Sequence, residues 1–131
     1  MTQEDKQLLL KDLCTRLTYG VKCTTKSLWN GIYTIVGYKN NRFFLDCPIY
    51  EEGDDEWMIE SIVPYLRPMS SMTEEEHLVF SSKCELTTDV NGKKVWSVKV
   101  VGYDWLNENF FDYRGLIEKG LALEAPEEIY K

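Results

Sequence analysis

The chain has 131 residues and a net charge of −7, with 44% apolar and 28% charged residues. This composition is typical of a globular protein, and the length fits a single domain, residues 1–131. The negative charge argues against direct nucleic-acid binding driven by electrostatic attraction. No apolar run is as long as a membrane span, and the polar start lacks the apolar core of a signal peptide. We therefore expect a cytoplasmic protein without membrane contact.

The cysteines argue against a disulfide framework or a zinc site. Cys14, Cys23, Cys47 and Cys84 are widely scattered and form no Cys-x-x-Cys pair. Without a secretion signal, free buried thiols are the expected state. Structural zinc sites normally use closely spaced ligands, and the glycines form no phosphate-binding loop. The sequence thus predicts neither a metal nor a cofactor.

The first segment is predicted to be a helix from Thr2, which caps it, to about Arg16. Its apolar face is predicted from residues that recur at helical spacing: Leu9, Leu10, Leu13, Cys14 and Leu17. Gly20 follows and is available for a left-handed conformation that ends the helix.

Short strands are predicted to follow, at residues 21–25, 31–39, 42–47 and 57–63. Asn40 and Asn41 supply a tight turn between the second and third strands, because asparagine tolerates positive φ. Four short strands separated by turns favour a small, strongly bent antiparallel sheet. Both an SH3-like barrel and a plain meander fit this pattern.

The second half begins with a stop and a restart of regular structure. Pro64 and Pro68 are predicted to interrupt it. Thr73 and Glu76 then match the capping box, which predicts a helix over 74–82 with Leu78 and Val79 facing inward. A hairpin is expected next, with strands at 84–90 and 93–101 around the turn Asn91-Gly92. Alternation predicts one buried face on its second strand, formed by Trp96, Val98 and Val100.

The C-terminal segment is predicted to be a short helix and a docked tail. Gly102 should break the preceding strand, and Asp104 should cap the helix. Residues 112–123 read as a turn of helix and a short extended piece, and residues 126–131 as a frayed end. The predicted class is α+β: N-terminal helix, bent sheet, helix, hairpin and short C-terminal helix. Two sub-lobes, 1–68 and 69–131, are the alternative to one undivided domain.

Catalytic chemistry finds little support in the sequence. His77 is the only histidine, so any Ser-His or Cys-His mechanism must use it. It lies in an acidic helical turn, where an exposed histidine is ordinary. Residues 51–56 hold five carboxylates around a glycine, a composition that suits a hard cation but lacks the alternation of an EF-hand loop. We favour a solvated hairpin tip there and predict a protein that is not an enzyme.

Two groups of basic and aromatic residues are candidate binding sites. Tyr65 and Arg67 form the first; the second contains Trp105, Asp112, Tyr113 and Arg114. A guanidinium beside aromatic rings can anchor a carboxylate-bearing partner. In the structural interpretation, which we favour, Arg67 or Arg114 instead pairs with Asp112 or Glu118 and fastens the tail to the body.

Three stretches carry a resemblance to known proteins: PYLRPMSSMTEEE at 64–76, DWLN at 104–107 and FDYRGLI at 111–117. Together they resemble a set of small uncharacterised proteins carried by phages, prophages and mobile elements of gut bacteria. The N-terminal residues DLC, RL and YGV at 12–14, 16–17 and 19–21 fit the same pattern. The resemblance implies a phage-related intracellular context, and it brings neither an activity nor catalytic residues.

The leading functional hypothesis is a non-enzymatic binding or accessory module with a protein partner. The alternative is an acidic inhibitor that mimics nucleic acid and blocks a host defence or DNA-handling enzyme, suggested by the net charge and the 51–56 cluster. A small hydrolase that uses His77 is the third. The sequence leaves the oligomeric state open. The resemblance implies that residues 64–76 and 112–114 pack together as one structural unit.

Overall fold

The chain folds into an α+β structure in which a long N-terminal helix packs against an open mixed sheet. The structure is a computed structural model that describes residues 1–26, 28–46 and 55–130. The helices and strands, in chain order, are α1 (Gln3–Arg16), β1 (Lys22–Thr25), β2 (Leu28–Lys39), β3 (Arg42–Asp46), β4 (Asp55–Trp57), β5 (Ile62–Pro68), α2 (Glu74–Ser82), β6 (Cys84–Thr88), β7 (Lys94–Val98), α3 (Val100–Glu108), β8 (Phe111–Asp112) and β9 (Leu123–Glu124).

Helix α1 is capped by Thr2, as predicted, and Asp5 completes a capping box that was not predicted from the sequence. Thr2 accepts a hydrogen bond from the Asp5 amide, and the Asp5 carboxylate accepts one from the Thr2 amide. The buried face is formed by residues at helical spacing: Leu9, Asp12, Leu13 and Arg16. Cys14 lies on the exposed side, so the prediction that it is a buried thiol on the apolar face is wrong. Gly20 takes the left-handed conformation that was expected (φ 74°).

The main sheet has seven strands in the order β4-β3-β2-β1-β5-β8, with β9 also paired to β5. Strands β1 to β5 pair antiparallel, and the predicted turn at Asn40 and Asn41 is confirmed by their positive φ. The strands predicted between residues 21 and 63 are thus antiparallel as expected, but β8 and β9 add parallel to β5 and make the whole sheet mixed. No sheet in the described part of the chain closes on itself, and an SH3-like barrel is not confirmed.

Pro64 lies inside β5, so the prediction that it interrupts regular structure is wrong, whereas the strand does end at Pro68. In the β1–β5 ladder, Cys23 lies opposite Pro64. Three residues away in the same ladder, the Lys26 amide donates to the Ser61 carbonyl (2.9 Å), so that pair is hydrogen-bonded. Hydrogen-bonded and non-bonded pairs alternate in an antiparallel ladder, so the Pro64 position needs no N–H toward β1. On the other edge of β5, β9 pairs from Tyr65 onward. Pro68 is the last residue of the strand.

The C-terminal tail completes the core of the main sheet. Phe110, Leu116, Leu121 and Ala122 are buried in the same cluster as the apolar residues of α1 and β1 to β5. The Tyr130 hydroxyl donates to the Tyr65 carbonyl (2.6 Å) and accepts from the Lys22 amide (2.9 Å). The Tyr130 ring also stacks on Phe110, with centroids 3.8 Å apart. The prediction of a frayed end is therefore wrong as far as Tyr130; Lys131 lies outside the described residues.

Helix α2, the β6–β7 hairpin and α3 follow one another beside this sheet. α2 has the predicted bounds, and its capping box is confirmed. Its inward residue is Phe80, whereas Leu78 and Val79 are exposed, contrary to prediction.

In the hairpin, the Asp89 amide donates to the Lys93 carbonyl (2.9 Å). This bond leaves a three-residue loop that ends at Gly92, whose φ is 79°.

The chain enters α3 earlier than the sequence predicts. Lys99 is the N-cap residue, and Asp104 lies inside the helix instead of capping it. Val100 belongs to α3 and not to the hairpin strand. Gly102 is buried in the helix, where an added Cβ would lie 2.6 Å from Val98 Cγ1. Glycine is required there because α3 crosses the hairpin at close range.

Candidate binding site

The two basic and aromatic groups predicted from the sequence lie side by side. Strand β5 pairs in parallel with β8, which places Arg67 opposite Phe111 and Pro68 opposite Asp112. The Arg67 amide also donates to the Phe110 carbonyl (2.7 Å). The prediction that the two stretches pack together is thus confirmed. We call this unit the joint: β8 together with five charged residues that pair around it, Asp12, Arg16, Arg67, Glu76 and Arg114.

Arg67 holds α2 against β5. Its guanidinium donates two hydrogen bonds to the Glu76 carboxylate, at 2.8 and 2.7 Å, and lies 4.1 Å from the centre of the Phe111 ring. Glu76 also accepts from the Thr73 amide as part of the capping box (3.0 Å). Such a bidentate pair is strong and directional. Glu76 therefore completes the capping box of α2 and, with the same side chain, ties the helix to β5.

The Arg67–Glu76 pair gives the protein a pH-dependent contribution to stability. The hydrogen bonds from Arg67 lower the pKa of Glu76 from 4.5 to about 2. A carboxylate with a depressed folded pKa stabilises fully above its unfolded pKa, and the stabilisation is lost as pH falls toward the folded value. At neutral pH, Glu76→Gln should lower the free energy of unfolding by about 1–2 kcal/mol. This deficit should shrink below pH 4.5 and vanish near pH 2.

Urea unfolding of the wild type and Glu76→Gln across that pH range measures the effect. Glu75→Gln is the matched control, since Glu75 is exposed on the same helical turn and should shift the free energy by no more than about 0.5 kcal/mol. A Glu76→Gln deficit that stays constant down to pH 2 would show that the ionised pair is not its source.

Asp12 receives two guanidinium groups at the other side of β8. The Asp12–Arg16 pair is fully buried: Arg16 Nε and Nη2 donate to the Asp12 carboxylate at 2.9 and 3.0 Å. Arg114 Nη1 donates to the same carboxylate at 2.7 Å. Arg16 Nη2 also donates to the Phe111 carbonyl (2.6 Å), and both guanidinium groups lie over the Tyr113 ring.

Arg67 therefore pairs with Glu76, and Arg114 pairs with Asp12. The predicted pairing of these arginines with Asp112 or Glu118 is wrong.

The remaining predicted binding residues are also engaged within the protein. Asp112 accepts from the amides of Leu116 and Ile117, both at 2.9 Å, and so closes the turn after β8. The Tyr113 hydroxyl donates to Asn107 Oδ1 (3.0 Å). The Trp105 ring stacks between Phe80 and Phe111, and Tyr65 is buried. A binding role for these residues stays a prediction, and their contacts give each of them a structural one.

A cavity of about 440 Å³ opens beside Arg67, between α2 and the tail. Its walls include Pro68, Thr73, Pro126 and Tyr130. The hydrogen-bonding face of Arg67 is turned to Glu76, and Glu127 adds a second carboxylate to the lining. The ion pair with Glu76 already balances the guanidinium charge, so an incoming carboxylate would meet no net positive charge there.

The histidine considered for catalysis is exposed, and most of the acidic cluster considered for metal binding lies outside the described chain. His77 is exposed on α2. Residues 51–54 of the acidic cluster lie outside the described residues, as does Cys47. Within residues 1–26, 28–46 and 55–130, no three His, Cys, Asp or Glu side chains are grouped to hold a metal ion. Among the helices described, none has the length and hydropathy needed to cross a membrane.

The hairpin carries an exposed apolar surface that the sequence patterns place in the interior. Leu86 on β6 lies directly opposite Trp96 on β7, and they are 50% and 73% exposed. Further exposed apolar residues lie on the adjoining elements: Leu78, Val79, Val90, Val100, Val101 and Tyr103. Alternation along the strands identifies which residues share a face, but not whether anything covers that face. We define the hairpin face as Cys84, Leu86 and Thr88 with their partners Val98, Trp96 and Lys94.

Comparison with protein-family models, curated proteins and solved structures finds no match to this chain.

Proposed function

We propose that the protein is a non-enzymatic protein-binding module, of phage or mobile-element origin as the resemblance implies, and that the hairpin face is its binding surface. The observation that carries the proposal is the exposure of Trp96 beside Leu86. Exposed apolar clusters commonly mark sites of protein association, and tryptophan is the residue most enriched among those that dominate binding energy.

The surroundings of the hairpin face support this assignment. The inner end of the face is anchored, because Val98 packs on Gly102 and the Cys84 thiol donates to the Phe80 carbonyl (3.4 Å). Leu86 and Trp96 lie beyond that anchor, where no element of the described chain buries them. An isolated two-stranded hairpin is only marginally stable in water, whereas one that packs on helices is held in place. The exposed pair is thus presented on a supported element.

An aromatic photo-crosslinking amino acid at position 96, which keeps a ring in place of the Trp96 indole, tests the proposal in the cells where the protein occurs naturally. Position 36 is the matched control, since Val36 is also an exposed apolar strand residue (48%) but lies on the main sheet. We expect a discrete cross-linked protein from position 96 and none from position 36. Equal labelling from both positions, or labelling from neither, would contradict the assignment.

A further inference from the structure

We propose, on the basis of the protein-binding function above, that the outer edge of β7 binds an extended segment of the partner by strand addition. The segment carries apolar and acidic side chains two residues apart. The inference rests on three features of the hairpin: its free backbone groups, the side chains beside them and the distribution of charge between its two strands.

The backbone geometry leaves one edge of β7 available. The Lys99 amide donates to the Lys83 carbonyl (3.0 Å), and the Asp89 amide donates to the Lys93 carbonyl (2.9 Å). Hydrogen-bonded pairs alternate with non-bonded pairs in an antiparallel ladder, so the N–H and C=O groups of Lys94 and Trp96 point away from β6. In the described chain no backbone group bonds to them. An exposed edge of this kind is a template for another strand.

The charges on the two strands favour the β7 edge over the β6 edge and favour an acidic partner segment. Residues 93–99 contain three lysines and no carboxylate, in a chain of net charge −7. Residues 83–89, on the β6 side, contain one lysine and two carboxylates, Glu85 and Asp89. An acidic segment is therefore attracted to the β7 edge and repelled by the β6 edge. A second copy of the whole chain meets repulsion between two net charges of −7.

The register specifies where each side chain of the partner falls. Lys94 and Trp96 are two residues apart on the hairpin face, so an antiparallel segment places one residue opposite each. An apolar side chain packs beside Trp96, and the residue two positions later places a carboxylate beside Lys94. The recognition pattern of the partner segment is thus apolar-x-acidic, written from its N-terminus to its C-terminus.

A capped peptide of sequence Thr-Val-Thr-Phe-Thr-Glu-Thr-Glu-Thr serves as the probe for the wild-type protein, titrated by NMR. We expect saturable shifts of the Lys94 and Trp96 amides. N-methylation of the Phe and first Glu amides removes the two donors that face β7 and should weaken binding about tenfold or more. N-methylation of two alternate Thr amides, which face away, is the matched control and should leave the affinity unchanged. Replacement of both Glu residues by Lys should also weaken binding about tenfold.

Three outcomes would overturn the inference. They are no shift at the β7 edge, equal effects of both methylation patterns, or a dimer in sedimentation experiments that Trp96→Ser dissociates. The last outcome would assign the hairpin face to a second copy of the chain. If the peptide fails while position 96 still cross-links to one cellular protein, strand addition is wrong and the protein-binding function stands.

Discussion

Replacement of Asp12 by alanine is expected to lower the free energy of unfolding by about 3–5 kcal/mol, because it leaves the Arg16 guanidinium buried without a counter-charge. Arg16 and Asp12 are both fully buried, and Arg16 Nη1 already has no hydrogen-bond partner among the described residues. The same substitution also removes the partner of Arg114. Urea unfolding at neutral pH, monitored by circular dichroism, measures the loss.

Two further variants make the Asp12 experiment specific. Arg114→Ala should cost less, because Asp12 keeps both hydrogen bonds from Arg16 and Arg114 is partly exposed (14%). Asp104→Ala removes an exposed carboxylate from another helix and should change the free energy by no more than about 0.5 kcal/mol. If Asp12→Ala costs no more than Asp104→Ala, the buried pair does not hold the joint.

Phe111→Ala is expected to destabilise the protein by about 3–5 kcal/mol, comparable to the Asp12 effect but through loss of packing. The Phe111 side chain is fully buried, stacks on Trp105 with centroids 5.6 Å apart, and lies under the Arg67 guanidinium. Its removal leaves a cavity where β5, α2 and α3 meet. Thermal unfolding of the variant should show a correspondingly lower midpoint.

Phe111→Leu separates packing from aromatic contacts. Leucine refills most of the volume, so the cost should fall to about 1 kcal/mol if packing dominates. A leucine variant as unstable as the alanine variant would instead assign most of the energy to the aromatic and cation–π contacts of the ring. A Phe111→Ala variant close to wild type would contradict the central position of β8 in the structure.

Local chemistry explains why several elements could be predicted from the sequence. The Thr2 cap, the capping box at Thr73 and the turn at Asn40 and Asn41 are each encoded within four residues, and all three occur as expected. Pro64 could not be placed by such rules, because its tolerance in β5 depends on pairing with β1 and β9. The parallel pairings of β8 and β9 likewise depend on residues far apart in the chain.

The candidate site was predictable in position but not in its contacts. The sequence brought Arg67 and Arg114 to one region, yet their partners, Glu76 and Asp12, are set by packing between distant elements. Asp12 and Arg16 have the four-residue spacing of an ordinary surface ion pair, but in the fold they are fully buried. They are bonded there to Phe111 and Arg114, which lie far along the chain. Trp96 was predicted to be buried because its alternating pattern is typical of a strand with one buried face, but no element of the described chain covers that face.

We propose that the hairpin face binds the partner protein, whereas the joint stabilises the fold. Competition against the cross-link from position 96 tests this most directly, with unlabelled wild-type protein, Arg67→Gln and Trp96→Ser as competitors, each verified as folded at the assay temperature. We expect Arg67→Gln to compete as well as the wild type despite its lower stability, and Trp96→Ser to fail. Full competition by Trp96→Ser, together with failure of folded Arg67→Gln, would place binding at the joint and contradict the claim.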